Sequence, residues 1–228
     1  MFITDESIKN LDKRTDQSII FPMTYGRPRE FDIDRALEAA TQQFWLTGYE
    51  ATSLHNLLQK MSLSKSSLYQ TFGNKHELFV RCLDHYQQTM VNVLNEQLNK
   101  SASIKQFLSD FLEDVISEAK TRGIRKGCFL VNTANELSQR DTGIAEAVST
   151  GTANVANVFR CAIQRGKEQQ EISSTLPTES LVDYLMISVS GLRTMIKAGA
   201  EIKSLKPVIN LMIHTISIDK SDERHASL

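Results

Sequence analysis

The chain has 228 residues, 41% of them hydrophobic, so it can bury a sizeable core and could form two modest domains. Its 26 Lys and Arg residues nearly balance its 27 Asp and Glu residues, which excludes a uniformly basic protein. It contains no run of 18 uncharged apolar residues and no recognisable signal peptide. We therefore expect a cytoplasmic protein that makes no membrane contact.

The N-terminal region is predicted to hold a tail, a basic arm and a first helix. Residues 1–24 mix charges without periodicity, which is typical of a tail. Arg27 follows in a short arm just before the first helix, where it can reach phosphates or a minor groove; the alternative is a solvated linker. Residues 32–47 then place apolar side chains at helical spacing, and Gly48 ends this helix.

The stretch 52–75, TSLHNLLQKMSLSKSSLYQTFGNK, is predicted to form two short helices joined by a tight turn. A hydroxyl at either of its first two positions can bond a free backbone N–H at the start of the first helix. Ser64 is placed to begin the second helix, in which Leu68 and Phe72 face inward at a spacing of four residues. The outer face of the second helix is then short, polar and cationic, which suits a DNA groove.

Charge is distributed unevenly around this stretch. No Asp or Glu occurs between Ala51 and His76, whereas Lys60, Lys65 and Lys75 all fall there. The predicted DNA-facing edge is therefore locally cationic within a nearly neutral chain, and a dimer would double that charge.

This region resembles the DNA-binding domain of TetR-family transcriptional regulators, from about Gly26 to about Tyr86. The resemblance is carried by the segment GRPREFDIDRALEAATQQFWLTGYEATS, the run SLSKSSLYQTF, and NKHELF at the start of the next helix. The family usually has Gly in the turn, where this chain has Ser62. If that position needs a positive φ, Ser costs about 1 kcal/mol.

The resemblance implies specific roles in DNA binding. Residues 65–67 would face base edges or nearby phosphates, Tyr69 and Lys75 would contact the DNA backbone, and Thr52 would contact a phosphate. The full predicted set is Arg27, Thr52, Ser64, Lys65, Ser66, Ser67, Tyr69, Gln70 and Lys75.

Helical periodicity continues to the C-terminus, so the predicted fold class is all-α. A fourth helix starts at Lys75 and runs for about 24 residues, or roughly 36 Å, which is long enough to carry movement between two domains. Further helices are predicted up to about residue 218, with Pro207 in the first turn of the last one. The predicted organisation is a tail (1–24), a helix-turn-helix DNA-binding domain (25–76), a connecting helix (77–98), a ligand-binding and dimerisation domain (99–220) and a tail (221–228).

The last two predicted helices carry apolar residues on more than one face, so they need two packing partners. In TetR-like proteins the final two long helices pair with their copies as a four-helix bundle. The alternative is that both faces are buried within one subunit. The predicted dimer interface consists of Leu185, Val189, Leu192, Ile196, Val208, Leu211 and Met212.

Helices five to eight are expected to enclose an effector pocket. Its candidate lining residues, each of which has a core role as the alternative, are Phe107, Phe111, Asn132, Asn135, Phe159 and Tyr184. Cys128 follows two cations at a helix start, which favours a reactive thiolate, although a buried cysteine is the commoner outcome. The run GCFLVN around it also resembles a TetR subgroup that contains thiol-sensing repressors. The other two cysteines, Cys82 and Cys161, are expected in the core.

The sequence thus predicts a homodimeric, ligand-responsive transcriptional regulator, most simply a repressor of a palindromic double-stranded DNA operator. Its small-molecule effector is unknown. The first alternative is a DNA-binding activator or architectural protein without an effector. The second is an enzyme or carrier with a vestigial helix-turn-helix. No cofactor, metal site or catalytic constellation is predicted, because no spaced ligand set, phosphate loop or nucleophile motif occurs.

Overall fold

A computed structural model of the chain describes residues 32–121 and 125–217, without the side chains at 118–121. Arg27 and both predicted tails lie outside these ranges. The described residues form helices and no strand, apart from a single β-bridge between Ile172 and Ser217, so the all-α prediction is confirmed. The helices are α1 (Ile33–Thr47), α2 (Leu54–Met61), α3 (Lys65–Phe72), α4 (Lys75–Lys100), α5 (Ile104–Thr121), α6 (Phe129–Leu137), α7 (Thr142–Glu168), α8 (Thr178–Lys197) and α9 (Ile202–Ile216).

Helix α4 is the central element, because it packs against α1 near one end and against α7 along its length. It begins at Asn74, whose Oδ1 accepts a hydrogen bond from the backbone N–H of Glu77 (3.0 Å). With 26 residues it spans about 39 Å at 1.5 Å per residue. The same rigid rod therefore contacts both the N-terminal helices and the C-terminal ones.

An aromatic cluster joins the N-terminal helices to α6. The rings of Phe44 and Phe79 meet edge to face with centroids 4.8 Å apart, and Phe79 meets Phe129 of α6 in the same way at 5.6 Å. Tyr86 contacts Phe129 at 5.6 Å and Trp45 at 5.0 Å. Each such pair contributes about 0.5 to 1.5 kcal/mol beyond the burial of its area. The position of α1 is thus coupled to that of α6.

The main core lies among α4, α5, α7, α8 and α9, and it corrects part of the predicted dimer interface. Five of the seven predicted interface residues are buried in this core, within a single subunit; they are Leu185, Val189, Leu192, Ile196 and Met212. These five residues lie on the apolar faces of α8 and α9 that point towards the rest of the subunit. Only Val208 (46% exposed) and Leu211 (61% exposed) lie on the outer surface.

The outer faces of α8 and α9 carry a second apolar surface. On α8, Ile187 is 73% exposed and Met195 53%, and Gly191 lies between them, where a methyl group added to its Cα would have no other atom within 4 Å. We call Ile187, Gly191, Met195, Val208 and Leu211 the outer apolar stripe. Within the described ranges, no helix combines the length and the apolar character needed to cross a membrane.

Two local expectations about the C-terminal helices are wrong. Pro207 is the sixth residue of α9 rather than part of its first turn, because the helix already begins at Ile202. Cys161 was expected in the core but is exposed, since it lies on the outward side of α7. Cys82 is fully buried as expected, and burial raises the pKa of its thiol to about 12.

Candidate DNA-binding surface and its links to the C-terminal helices

The turn between α2 and α3 is built around Ser62. This residue adopts the left-handed conformation (φ 55°, ψ 40°), and its N–H bonds the carbonyl oxygens of Leu58 and Gln59. The next residue, Leu63, also donates its N–H to the carbonyl of Leu58 (3.1 Å). The turn therefore does use the positive φ that would favour Gly, and Ser bears the associated strain.

Helix α3 is held to the protein by two side chains and exposes the rest. Leu68 and Phe72 are both 0% exposed, as their spacing predicted. Ser64 caps the helix, because its Oγ accepts a hydrogen bond from the backbone N–H of Ser67 (3.1 Å). Arg81 of α4 braces the other end by donating to the carbonyl of Thr71 (3.0 Å).

The outward face of α3 carries the predicted DNA-contacting groups. Lys65, Ser66 and Gln70 are exposed, and Tyr69 is 46% exposed. The ammonium group of Lys65 lies 5.9 Å from the centre of the Tyr69 ring, so the two side chains share one surface. The face thus presents a cation, hydroxyls and an amide, the groups that contact phosphates and base edges.

Two of the predicted DNA contacts are engaged by neighbours within the protein. Thr52 is 0% exposed, and its hydroxyl donates to the carbonyl of Gly48 (2.6 Å), so it braces the segment between α1 and α2 instead of facing a phosphate. Lys75 is half-buried, and its ammonium group lies 4.2 Å from the centre of the Tyr49 ring. The exposed N-cap before α2 is Ser53, next to the buried threonine.

Polar contacts fix the N-terminal helices to α6 and α7. The carboxylate of Glu136 accepts hydrogen bonds from the backbone N–H groups of Tyr49 (3.1 Å) and Glu50 (2.9 Å). His76, in the first turn of α4, contacts the carboxylate of Asp141 at 2.7 Å. The pKa of Asp141 is lowered, mainly by the backbone N–H of Ile144 and then by His76.

A third link joins α1 to the segment before α6. The indole N–H of Trp45 donates to the carbonyl of Gly127 (3.1 Å), and the ammonium group of Lys126 lies 4.7 Å from the ring centre. The next residue, Cys128, is the N-cap of α6, and its sulfur lies 3.9 Å from the hydroxyl of Tyr86. The two cations expected to activate this thiol are directed elsewhere, since Lys126 faces Trp45 and Arg125 donates to the carbonyl of Ala200 (3.4 Å).

The predicted ligand-pocket residues do not converge on one pocket. Phe111 and Phe159 line a small inner cavity of about 50 Å³, and Cys128 lines it too. Phe107 is instead fully buried in the core. Tyr184 is half-buried against that core.

Asn132 and Asn135 line a separate cavity of about 320 Å³ beside the end of α1. The Asn132 amide is already engaged there, donating to the carbonyl of Lys126 (2.8 Å) and accepting from Lys197 (2.9 Å). The six candidates that the sequence offered for an effector pocket are therefore divided between two cavities and the core.

The structure also identifies residues that the sequence did not. Trp45, Tyr86, Glu136 and Arg193 lie where the N-terminal and C-terminal helices meet or along the cavities between them. Their partners are far away in the chain, for example 82 residues for Trp45 and Gly127. The one available signal was that Trp45 is the only tryptophan.

Comparison with known proteins agrees with this architecture. Residues 36–82 match the family model for bacterial regulatory proteins of the tetR family, and residues 105–212 match the model for the tetracyclin repressor-like C-terminal domain. The first match spans α2, α3 and most of α1, and the second runs from α5 into α9. Both models describe transcriptional regulators, not enzymes.

Curated relatives cover most of the chain. An uncharacterised HTH-type transcriptional regulator of Bacillus subtilis, YezE, is 26% identical over 84% of this chain and 99% of its own length. The HTH-type transcriptional repressor ComR of Escherichia coli is 27% identical, over 85% of this chain and 93% of its own.

Solved structures share the fold. A cysteine mutant of the TetR-family regulator CifR, complexed with 26-base-pair operator DNA, is 26% identical with a TM-score of 0.74, over 84% of this chain and all of that one. The reduced form of Escherichia coli NemR has a TM-score of 0.74 at 18% identity, over 81% of this chain and 96% of that one. At this low identity the likeness establishes a shared fold and nothing more.

Proposed function

The chain belongs to the TetR family of DNA-binding transcriptional regulators, and from this we propose a homodimeric repressor that a small molecule or a thiol modification releases from a palindromic operator. The observation that carries the proposal is the face of α3, where Lys65, Ser66, Tyr69 and Gln70 are exposed over two fully buried anchors. A relative named as a repressor and the CifR complex with operator DNA support it.

Operator binding is tested with three alanine variants of the DNA-binding helices. Tyr69→Ala and Lys75→Ala should weaken binding to every DNA sequence, because both side chains are proposed to contact the DNA backbone. Lys75→Ala should also reduce the slope of log affinity against log salt concentration by about one, because one phosphate contact is lost. Ser66→Ala should instead change the preferred sequence, as selected from random DNA.

Gln59→Ala, an exposed change on α2 away from the proposed contacts, is the matched control and should bind normally. Each variant needs an unfolding measurement, since Lys75 also contacts Tyr49. Unchanged operator affinity in folded Tyr69→Ala and Lys75→Ala proteins would show that α3 and the start of α4 do not lie on DNA.

The proposed dimer forms through the outer apolar stripe. Ile187, Gly191 and Met195 follow one another at intervals of four residues, which places them on one face of α8. Val208 and Leu211 continue this surface on α9. Burying such a face against its own copy gives a twofold-symmetric pair, and symmetry is what allows two α3 helices to enter successive major grooves about 34 to 36 Å apart.

Sedimentation of charged variants tests this interface. Ile187→Glu and Leu211→Glu should shift the protein towards monomer, because each places a carboxylate in the buried patch. Leu176→Glu is the control, since Leu176 is also exposed (43%) but lies in the segment before α8. Wild-type-like association of both stripe variants would mean that another surface mediates dimerisation.

For release, the effector or modification must favour a form that binds DNA weakly. A hundredfold loss of affinity requires a difference of about 2.7 kcal/mol between the two forms. The inner cavity beside Cys128 and the contact of this thiol with Tyr86 support a signal that starts there, because Tyr86 touches Trp45 of α1.

The thiol route is tested with N-ethylmaleimide in a Cys161→Ser background, which removes the exposed cysteine. The alkylated protein should lose operator affinity. Adding Cys128→Ser should abolish that loss, since the thiol of Cys82 is buried. If the double variant is released equally well, the thiol of Cys128 has no sensing role.

A further inference from the structure

The cavity of about 320 Å³ beside the end of α1 is not used by the proposed function. Its lining comes from the end of α1, from α6 and from Lys197 near the end of α8, and we call it the polar cleft. The apolar part of this lining includes Trp45, Phe129 and the 53% exposed Leu46. The volume falls at the lower end of the roughly 300 to 1,000 Å³ that is typical of small-molecule sites.

The polar cleft contains two opposite charges that do not pair with each other. They are the carboxylate of Glu136 on α6 and the ammonium group of Lys197 on α8. Among the residues that the structure describes, Glu136 has no cationic partner and Lys197 has no anionic one. The cleft therefore offers a ligand one unpaired charge of each sign.

Helix α6 and its neighbours fix the positions of the two charges. The ammonium group of Lys197 donates to the amide oxygen of Asn132 (2.9 Å), and Asn132 lies four residues before Glu136 on α6. Side chains at this spacing share one face of a helix, with their Cβ atoms about 5 to 6 Å apart. The stem of Lys197 packs against Gly127, where an added methyl group would lie 3.1 Å from Cδ. The ammonium group is thus held about one helical turn from the carboxylate.

Both charged groups can still form hydrogen bonds. An ammonium group has three donors, and Lys197 uses one of them on Asn132. A carboxylate has about four acceptor sites, and Glu136 uses two of them on the backbone N–H groups of Tyr49 and Glu50. Lys197 can therefore donate to a carboxylate of a ligand, and Glu136 can accept from an ammonium group, without the loss of an existing bond.

We propose that the polar cleft binds a small zwitterion, namely a free α-amino acid with an apolar side chain. Its carboxylate accepts from Lys197, its ammonium group donates to Glu136, and its side chain covers the apolar lining around Leu46. With a hydrogen bond of about 2.8 Å at each end, the two charges on one α-carbon bridge groups that lie about one helical turn apart. A molecule with a single charge satisfies only one end of the cleft.

A bound amino acid has a consequence for stability. It binds the packed arrangement, in which Glu136 holds the segment after α1, and it has no such site on the unfolded chain. Binding therefore raises the free energy of unfolding. The site requires neither DNA nor a dimer, so it goes beyond the proposed function and does not depend on it.

Binding is measured on the full chain without DNA, so its failure is distinct from a failure of operator binding. Trp45 is the only tryptophan and lines the polar cleft, so its fluorescence reports occupancy. The probe is L-phenylalanine, compared with 2-phenylethylamine and 3-phenylpropanoate, each of which keeps only one of the two charges. The amino acid should give a saturable signal and raise the Tm, with each analogue at least about tenfold weaker because it lacks one charge-assisted hydrogen bond. No saturable signal, or equal affinity for either analogue, overturns the proposal.

Two variants assign the two ends of the bound amino acid. Lys197→Met keeps an apolar stem, and it should weaken L-phenylalanine and 3-phenylpropanoate at least about tenfold while 2-phenylethylamine binds as before. Glu136→Gln should weaken L-phenylalanine and 2-phenylethylamine and leave 3-phenylpropanoate unchanged. Lys203→Met, at a lysine of α9 whose side chain is 85% exposed, is the matched control and should bind all three compounds normally.

The pattern across the three compounds separates a lost contact from a general disturbance of the fold. Glu136 also holds Tyr49, so Lys197→Met decides the question if Glu136→Gln does not fold. Normal binding of L-phenylalanine by Lys197→Met, or an equal loss of all three compounds, overturns the assignment.

Discussion

Replacing Ser62 by Gly should stabilise the protein, although it removes a side chain. Ser62 holds φ at 55° in the turn between α2 and α3, a conformation that costs an L-residue about 1 to 2 kcal/mol and Gly nothing. Gly loses about 0.5 to 1 kcal/mol more backbone entropy on folding. The Ser62 side chain is exposed, so little packing is lost. The net gain is about 0.5 to 1 kcal/mol, or roughly 2 °C in Tm for a chain of this length.

The assay is denaturant unfolding at fixed protein concentration. One control variant is expected to stabilise the protein and another to destabilise it. Gln170→Gly should also stabilise, because Gln170 has the other positive φ among the described non-glycine residues (57°). Ser149→Gly, at an exposed position inside α7, should destabilise by about 0.5 kcal/mol through lost helix propensity. If Ser62→Gly destabilises as much as Ser149→Gly does, the turn is not strained and the reasoning fails.

Three further predictions concern contacts outside the turn. Glu136→Ala should lower the unfolding free energy by about 1 to 2 kcal/mol, because the backbone N–H groups of Tyr49 and Glu50 lose the half-exposed carboxylate that accepts from them; unchanged stability would show these bonds to be weak. The lowered pKa of Asp141 gives stability that is present above its ordinary value of 3.8 and lost as pH falls through the folded value. Asp141→Asn should therefore lose less stability between neutral pH and about pH 3 than the wild type, and an equal loss would contradict this. Gly166→Ala should destabilise by about 1 to 3 kcal/mol in thermal unfolding, because its methyl group would lie 2.7 Å from Ile172; a wild-type Tm would mean that Ile172 moves aside.

The sequence was most informative where structure depends on near neighbours. The caps of α2 and α3, the inward pair Leu68 and Phe72, and the all-α architecture all follow from interactions within a few residues. Even the strain at Ser62 was visible as a departure from the glycine usual in the family. The positions of the predicted DNA contacts on the exposed face of α3 follow from the same local periodicity.

The tertiary structure decided which partner each face meets. Periodicity shows that α8 has two apolar faces, but only packing shows that Leu185 points into the core and Ile187 points outward. It likewise buries Thr52 instead of leaving it for a phosphate. Contacts such as Glu136 with Tyr49, 87 residues apart, have no sequence signature, because chain separation carries no information about which surfaces meet. The sequence thus determined the helices and the exposed polar face of α3, whereas the cavities and the links between the two ends of α4 exist only once the helices are packed together.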